Sequence, residues 1–203
     1  YKRQELERWV LHRLCELDEK VQQGYDSYDF QGVFQAIFTF ATVDLSSFYF
    51  DIRKDVLYCD GDTIERRSAR TVLNLLFHRL TTWLAPILVF TMEEVWLERY
   101  PDKDSSVHPV DIPNTPSEWR DDKLAKKWSI VRNYRRLVTS ALELQRVDKV
   151  IGSSLEAAPT VHVQDKDALS VLESVPFKDI CITSDIKLTS TTVSYTHLRA
   201  HET

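Results

Sequence analysis

The stretch DLSSFYFDIRKDVLYCDG, residues 44–61, decides the fold class, because its apolar residues recur at helical intervals. Five of them fall on one side of a helix, at positions i, i+3, i+4, i+7 and i+11, namely Leu45, Phe48, Tyr49, Ile52 and Val56. This spacing predicts an amphipathic α-helix with one buried face. The four residues Cys-Asp-Gly-Asp at 59–62 then predict a turn.

The same periodicity extends over most of the chain on both sides of this stretch. It predicts further helices over about 1–24, from about 30 onward, over about 63–85, around 92–96 and over about 121–149. The helix over 63–85 is apolar on nearly every side, which is typical of a central bundle helix. Only four glycines occur, which disfavours a β-sandwich or a Gly-rich phosphate loop. We therefore predict a mainly α fold, an antiparallel bundle of four to five helices, as a first domain over residues 1–152.

The character of the sequence changes after Pro159. The alternating, β-branched TVHV at 160–163 predicts a strand. A short helix is predicted for DKDALSVLES at 165–174, and a second strand for FKDICIT at 177–183. Residues 153–188 are thus predicted to be a small, partial β-α-β junction. We expect the remaining residues, 189–203, to be a non-native or disordered tail.

No catalytic or metal-binding set is predicted from the reactive side chains. Asp51 and Asp55 share a helix face, but no histidine or further acid completes an acid–base pair. Cys59 has no nearby base and is predicted to be a partly buried, inert thiol. His197 and His201 have the spacing of two metal ligands but lack a third. We therefore expect no catalytic residue and no metal site.

Two clusters of basic residues indicate a binding function more clearly than the reactive side chains indicate catalysis. One lies on the helix over 63–85 and the other on the helix over 121–149. Clustered arginines on helices suit contact with a phosphate backbone. A solvated face with salt bridges inside the bundle is the alternative. The candidate nucleic-acid-binding residues are Arg66, Arg67, Arg70, Lys126, Lys127, Arg132, Arg135 and Arg136.

The composition of the chain restricts the cellular compartment and the kinds of partner that we expect for the protein. The net charge of −5 argues against a chain that coats nucleic acid without specificity. The three cysteines are widely spaced and follow no signal peptide, which favours the reducing cytoplasm. No unbroken apolar run approaches about 18 residues, so no membrane span is predicted. The first five residues already have helical character, so we expect the chain to begin inside a longer protein.

Four strings together carry a family resemblance: DLSSFYFDIRKDVLYCDG, LAPILVFTMEEVW, SSVHPVDIP and RVDKVIGSSLEA. In this order they resemble the C-terminal anticodon-binding region of bacterial isoleucyl-tRNA synthetases, of the class Ia aminoacyl-tRNA synthetases. The resemblance covers residues 1–165 and extends more weakly to 188. SVHP stands where the family more usually has SVHL. Valyl-tRNA synthetases share the helical domain but match these strings less well.

The resemblance implies that the parent protein is a cytoplasmic, monomeric ligase that joins isoleucine to its tRNA using ATP and Mg²⁺. It implies that this chain docks the anticodon stem-loop and is attached to the rest of the synthetase. The ATP-binding motifs of the HIGH and KMSKS type are absent, as is the editing domain. The zinc-binding cysteine cluster of many bacterial members is also missing. The chain alone is therefore expected to hold no cofactor and to catalyse no reaction. The alternatives are a valyl-tRNA synthetase domain and a non-enzymatic helical interaction module.

Overall fold

The computed structural model describes residues 4–190 and is mainly helical, with one small sheet near its end. This confirms the predicted fold class. The chain divides into two compact units, Tyr1–Asp122 and Lys123–Thr203. The predicted domain boundary at residue 152 therefore falls inside the second unit.

The first unit is built mainly from helices. They are α1 (Glu5–Asp26), α2 (Phe30–Thr39), α3 (Asp51–Tyr58), α4 (Ile64–Leu84) and α5 (Val89–Arg99), followed by a 3₁₀ turn at Ser117–Trp119. Polar side chains cap two helix starts, because the first N–H groups of a helix lack backbone partners. Asp29 accepts a hydrogen bond from the Gly32 N–H at 2.9 Å, and Thr63 accepts one from the Arg66 N–H at 3.2 Å.

A π-helical segment, Phe40–Phe50, joins α2 to α3 in one continuous helix, Phe30–Tyr58. Its i→i+5 bonds make a wider turn than the α-helix that the sequence pattern predicts. The segment buries Phe48, whose ring contacts Trp9 of α1 edge to face with centroids 5.1 Å apart. It also buries Asp44, whose carboxylate accepts two hydrogen bonds from the Arg13 guanidinium.

The core of the first unit lies around α1 rather than around α4. Six apolar residues of α1 are buried at helical spacing: Leu6, Trp9, Val10, Leu14, Leu17 and Val21. On α4 the buried side includes Val72, Leu76 and Trp83, but Leu73 and Phe77 are only partly buried. Burial of α4 on nearly every side is therefore incomplete, because a second apolar side of this helix remains partly open, although α4 contacts α1, α3 and α5.

The irregular connection between α5 and the end of the first unit is fixed by a buried arginine of α4. The Arg79 guanidinium donates to the Asn114 carbonyl at 2.8 Å and to the Thr115 hydroxyl at 3.3 Å. It also lies over the Trp119 ring, 4.7 Å from the centroid, a favourable cation–π position. These contacts hold a proline-rich segment that has few backbone hydrogen bonds of its own.

A second buried ion pair ties α1 to α3. The Arg53 guanidinium donates to both carboxylate oxygens of Glu7, at 2.7 and 2.9 Å. The Glu7 side chain is only 5% exposed, so its charge depends on this partner. Sequence spacing gave no indication of the pair, because 46 residues separate its members.

The second unit begins with α6 (Asp122–Val147) and continues through a 3₁₀ turn at Ser154–Glu156. Its small domain is formed by β1 (Thr160–Val163), α7 (Lys166–Glu173), α8 (Phe177–Cys181) and β2 (Lys187–Ser190). The two strands are parallel, with Thr160 opposite Lys187, and α7 contacts both of them. Of the two acidic residues at its start, Asp165 caps α7 by accepting a hydrogen bond from the Asp167 N–H at 2.9 Å.

The second strand is not where the sequence analysis placed it. Residues 177–181 form α8, because Phe177, Ile180 and Cys181 are buried at helical spacing. Ile182 ends this helix in the left-handed region, with φ of 58°. The strand follows at β2, so residues 189 and 190 of the predicted tail belong to the sheet. Residues 191–203 lie outside the described part of the chain.

One helix of the described residues, Phe30–Tyr58, is long and apolar enough to cross a membrane by length and composition alone. The sequence predicts no such span, because polar residues interrupt the apolar stretch of this helix. Core helices of water-soluble proteins meet the same criterion. Here the helix packs on α1 and carries the ion-paired Asp44, so it does not by itself indicate a membrane protein.

Candidate nucleic-acid interface

The three candidate arginines of α4 have different surroundings. Arg66 is partly buried, and its Nε donates to the Leu57 carbonyl at 3.1 Å, which fixes the turn between α3 and α4. The Arg67 side chain is 62% exposed and lies 3.7 Å from the carboxylate of Asp62, which is also exposed. Arg70 is exposed and has no ion pair among the described residues. Arg67 and Arg70 are therefore available to an anion, whereas Arg66 is engaged in the fold.

Arg67 and Arg70 line a groove of about 1000 Å³ between the Phe30–Tyr58 helix and α4, which we call the α4 groove. Leu45 contributes to its floor from the π-helical segment, and Phe77 does so from α4. A third cation, Arg99 of α5, also lines the groove. The structure thus places three guanidinium groups around a largely apolar depression.

Arg99 was missed by the sequence analysis, because it stands alone at the end of α5 and belongs to no cluster. Its guanidinium lies over the Phe77 ring, 5.0 Å from the centroid. It donates to the Asn74 side-chain oxygen and, through Nε, to the Tyr100 hydroxyl at 3.1 Å. These contacts hold an exposed positive charge in one place without neutralising it.

His78 lies next to this cluster, with Nε2 2.8 Å from the Tyr100 hydroxyl. Burial lowers the pKa of His78, and the neighbouring charges of Arg99 and Arg79 lower it further. Both effects favour the neutral form of the imidazole over the charged form.

The stretch over residues 44–61 ends near the start of α4 and contains no assembled catalytic group. Lys54 pairs with Asp51 at 3.3 Å, and Asp55 is exposed. Cys59 is exposed, so the prediction that it is partly buried is wrong; it follows the last residue of α3 and lies on the surface of the turn. Tyr58 is 85% exposed and offers a free aromatic face.

The basic cluster of the second unit lies on α6. Lys126 and Arg136 are exposed, whereas Lys127 and Arg132 are partly buried. Arg135 is also partly buried, and its Nε donates to the Ile180 carbonyl at 2.8 Å, which secures α6 to α8. The prediction that these five residues contact nucleic acid therefore fits Lys126 and Arg136 most directly, while Arg135 has a structural contact.

Within residues 4–190, no group of three or more His, Cys, Asp or Glu side chains could hold a metal ion. His197 and His201 lie outside the described residues, so the structure does not bear on them. The basic surfaces are the chemically distinctive features of the described chain, and they can bind anions but offer no nucleophile, base or metal.

Comparison with known proteins gives one family. A family model described as the anticodon-binding domain of tRNA ligase matches residues 7–161. An isoleucine–tRNA ligase of Ruegeria pomeroyi is 66% identical over 185 residues, covering 91% of this chain and 19% of the relative. The isoleucine–tRNA ligase of Brucella abortus is 57% identical with the same coverage. That of Mesorhizobium japonicum is 50% identical over 183 residues, covering 90% of this chain and 18% of the relative. The chain thus spans about a fifth of the length of these relatives.

Proposed function

The chain belongs to the anticodon-binding domain family of tRNA ligases, and we propose that it is the tRNA-docking part of an isoleucine–tRNA ligase. The relatives named as isoleucine–tRNA ligases support this amino-acid assignment. The longer protein would join isoleucine to its tRNA in the cytoplasm, as a monomer, using ATP and Mg²⁺. Those reactions belong to parts of the synthetase outside this chain, which supplies binding alone.

The observation that carries the proposal is the exposed pair Arg67 and Arg70 on α4. The two side chains are three residues apart, so they lie on adjacent turns of one helix face. Neither is buried, and the carboxylate of Asp62, which lies 3.7 Å from Arg67, is itself solvent-exposed. Exposed ion pairs of this kind are weak, so both guanidinium groups are free to neutralise the phosphates of a nucleic-acid backbone.

Tyr58 extends this surface toward the bases. Its ring is exposed at the end of α3, and the bond from Arg66 to the Leu57 carbonyl keeps that end close to the start of α4. Unpaired RNA bases are commonly recognised by stacking on exposed aromatic rings. We propose that Arg67 and Arg70 contact phosphates of the anticodon stem and that Tyr58 contacts an unstacked base of the loop.

The second unit would add further phosphate contacts from α6. We propose Lys126 and Arg136 as direct contacts, because both are exposed and form no ion pair among the described residues. Lys127 and Arg132 remain candidates. Arg66 and Arg135 are proposed to act indirectly, by holding the turn before α4 and the end of α8 in place.

Binding of purified tRNAs by the 203-residue chain tests the proposal. We expect isoleucine tRNA to bind more tightly than valine tRNA at equal salt, and the comparison also separates the isoleucyl from the valyl alternative. Fluorescence anisotropy of end-labelled tRNA measures both affinities. A preference for valine tRNA would overturn the amino-acid assignment. Absence of binding to either tRNA at low salt would instead favour a helical interaction module without an RNA ligand.

A further inference from the structure

The α4 groove continues into an aromatic stripe that the tRNA proposal does not use. On α2, Phe34 is 37% exposed and Phe38 is 52% exposed. Their rings are nearly parallel with centroids 6.0 Å apart. From Phe38 the same side of the helix continues through Ala41 and Leu45, which line the groove. The intervals of three to four residues place these side chains in one row, so the stripe and the groove form one apolar surface.

No charged residue interrupts this surface on the α2 side, because residues 30–43 contain no Asp, Glu, Lys or Arg. On the α4 side, Leu73, Phe77 and Leu80 form a matching row and are only partly buried. Continuous exposed apolar surface of this kind is uncommon on a soluble protein and marks a contact site.

The shape of the surface fits an α-helix. Its two walls, the Phe30–Tyr58 helix and α4, are connected by the short turn after Tyr58 and are therefore antiparallel neighbours. Side chains at three- to four-residue spacing on both walls form the ridges between which a third helix packs. Apolar anchors of an amphipathic helix bind such grooves.

The apolar floor of the groove suits RNA poorly, in contrast to Arg67 and Arg70, which line the same groove and are the proposed phosphate contacts. Bases are read through hydrogen bonds as well as stacking, and the floor residues Leu45, Leu73, Phe77 and Leu80 have no side-chain donor or acceptor. The Asn74 oxygen at the rim already accepts a hydrogen bond from Arg99. An apolar protein surface is the better complement.

The positive charge at the rim of the groove further restricts which kind of helix can bind there. Arg99 is held over Phe77 by Asn74 and Tyr100, and it has no carboxylate partner among the described residues. A fixed cation beside an apolar groove favours an occupant with an acidic residue next to its apolar face.

We propose that the α4 groove and the Phe34–Phe38 stripe bind an amphipathic, acid-flanked helix from another part of the same synthetase polypeptide. This rests on the proposed function, because the relatives that support it are about five times as long as the matched segment. An intramolecular occupant is favoured over a separate protein, because a tethered segment is present at a high effective concentration.

Site-specific photo-cross-linking in the full-length synthetase that contains this chain tests the proposal. A p-benzoylphenylalanine residue replaces Phe38 or, as a control, the exposed Phe90 of α5, which does not line the groove. We expect Phe38→p-benzoylphenylalanine to yield an intramolecular cross-link to one helical segment outside the 203 residues, mapped by mass spectrometry. The Phe90 control should not cross-link to that segment.

Other products of the Phe38 experiment would overturn the proposal. A cross-link to a second copy would make the groove a dimer contact, a cross-link to added isoleucine tRNA would make it an RNA site, and an uncross-linked protein would show that the groove is open to water. tRNA binding by the unmodified synthetase is measured separately. A failure of the proposed tRNA-docking function is thereby distinguished from the absence of a helix in the groove.

As a second measurement, Phe38→Gln should lower the melting temperature of the full-length protein but not that of the 203-residue chain. An equal effect on both would contradict an occupant from outside the chain.

Discussion

Removal of the two exposed arginines of α4 should change how tRNA binding depends on salt. Each phosphate neutralised by a protein cation contributes about 0.9 to the slope of log affinity against log salt on duplex nucleic acid. If Arg67 and Arg70 each contact one phosphate, the double variant Arg67→Gln with Arg70→Gln should lose about 2 from that slope. The factor by which the double variant binds tRNA more weakly than the unmodified chain should therefore shrink about tenfold between about 50 mM and about 200 mM salt.

The assay is a salt titration of isoleucine tRNA binding by fluorescence anisotropy. The matched control is Lys20→Gln with Lys103→Gln, which removes the same charge from two exposed positions of the first unit outside the α4 groove. Because exposed substitutions of this kind usually change stability by less than about 0.5 kcal/mol, thermal melting should show both variants folded. Equal slopes for the two double variants would refute the reasoning, because the α4 arginines would then act only through net charge.

Three further predictions concern stability and thiol chemistry. Arg53→Met should destabilise the fold by about 3–5 kcal/mol in chemical unfolding, because it leaves the buried Glu7 carboxylate unpaired. Gly24→Ala should destabilise it by about 1–2 kcal/mol, because the added Cβ would lie 2.4 Å from a valine methyl group of α2. In the native chain an aromatic disulfide reagent should modify the exposed Cys59 rapidly, but not Cys181, whose burial raises its pKa to about 12.

Each of these predictions has an internal control. Combining Arg53→Met with Glu7→Gln should recover part of the lost stability, and a double variant as unstable as Arg53→Met alone would contradict the unpaired-charge account. Gly61→Ala should be nearly neutral, because nothing lies within 4 Å of its added Cβ, so an equal cost at both glycines would rule out crowding. Rapid modification of Cys181 before unfolding would contradict its burial.

The helical content and family of this protein are properties of local sequence. Apolar spacing predicts the positions of α1 and α4, and Asp29 and Asp165 cap helices as their residue type predicts. The misplaced second strand shows where such reasoning fails. Residues 177–183 are β-branched and apolar enough for a strand, but too short for periodicity alone to distinguish a strand from a helix.

The candidate site is predicted only in part, for a related reason. Sequence clustering finds Arg67 and Arg70, but it does not separate them from Arg66, whose hydrogen bond to the Leu57 carbonyl depends on how the chain turns before α4. It does not find Arg99, because the contacts of that residue with Asn74 and Phe77 join two helices.

The sequence by itself determined the mainly α fold, the family and the two basic helices, because these follow from residue type and short-range spacing. Only the tertiary structure decided which arginines are free, that Glu7 and Arg53 form a buried pair, and that one side of α4 remains open beside the Phe34–Phe38 stripe. The physical reason is that exposure and pairing depend on contacts between residues distant in the chain, which helix packing creates and periodicity does not record.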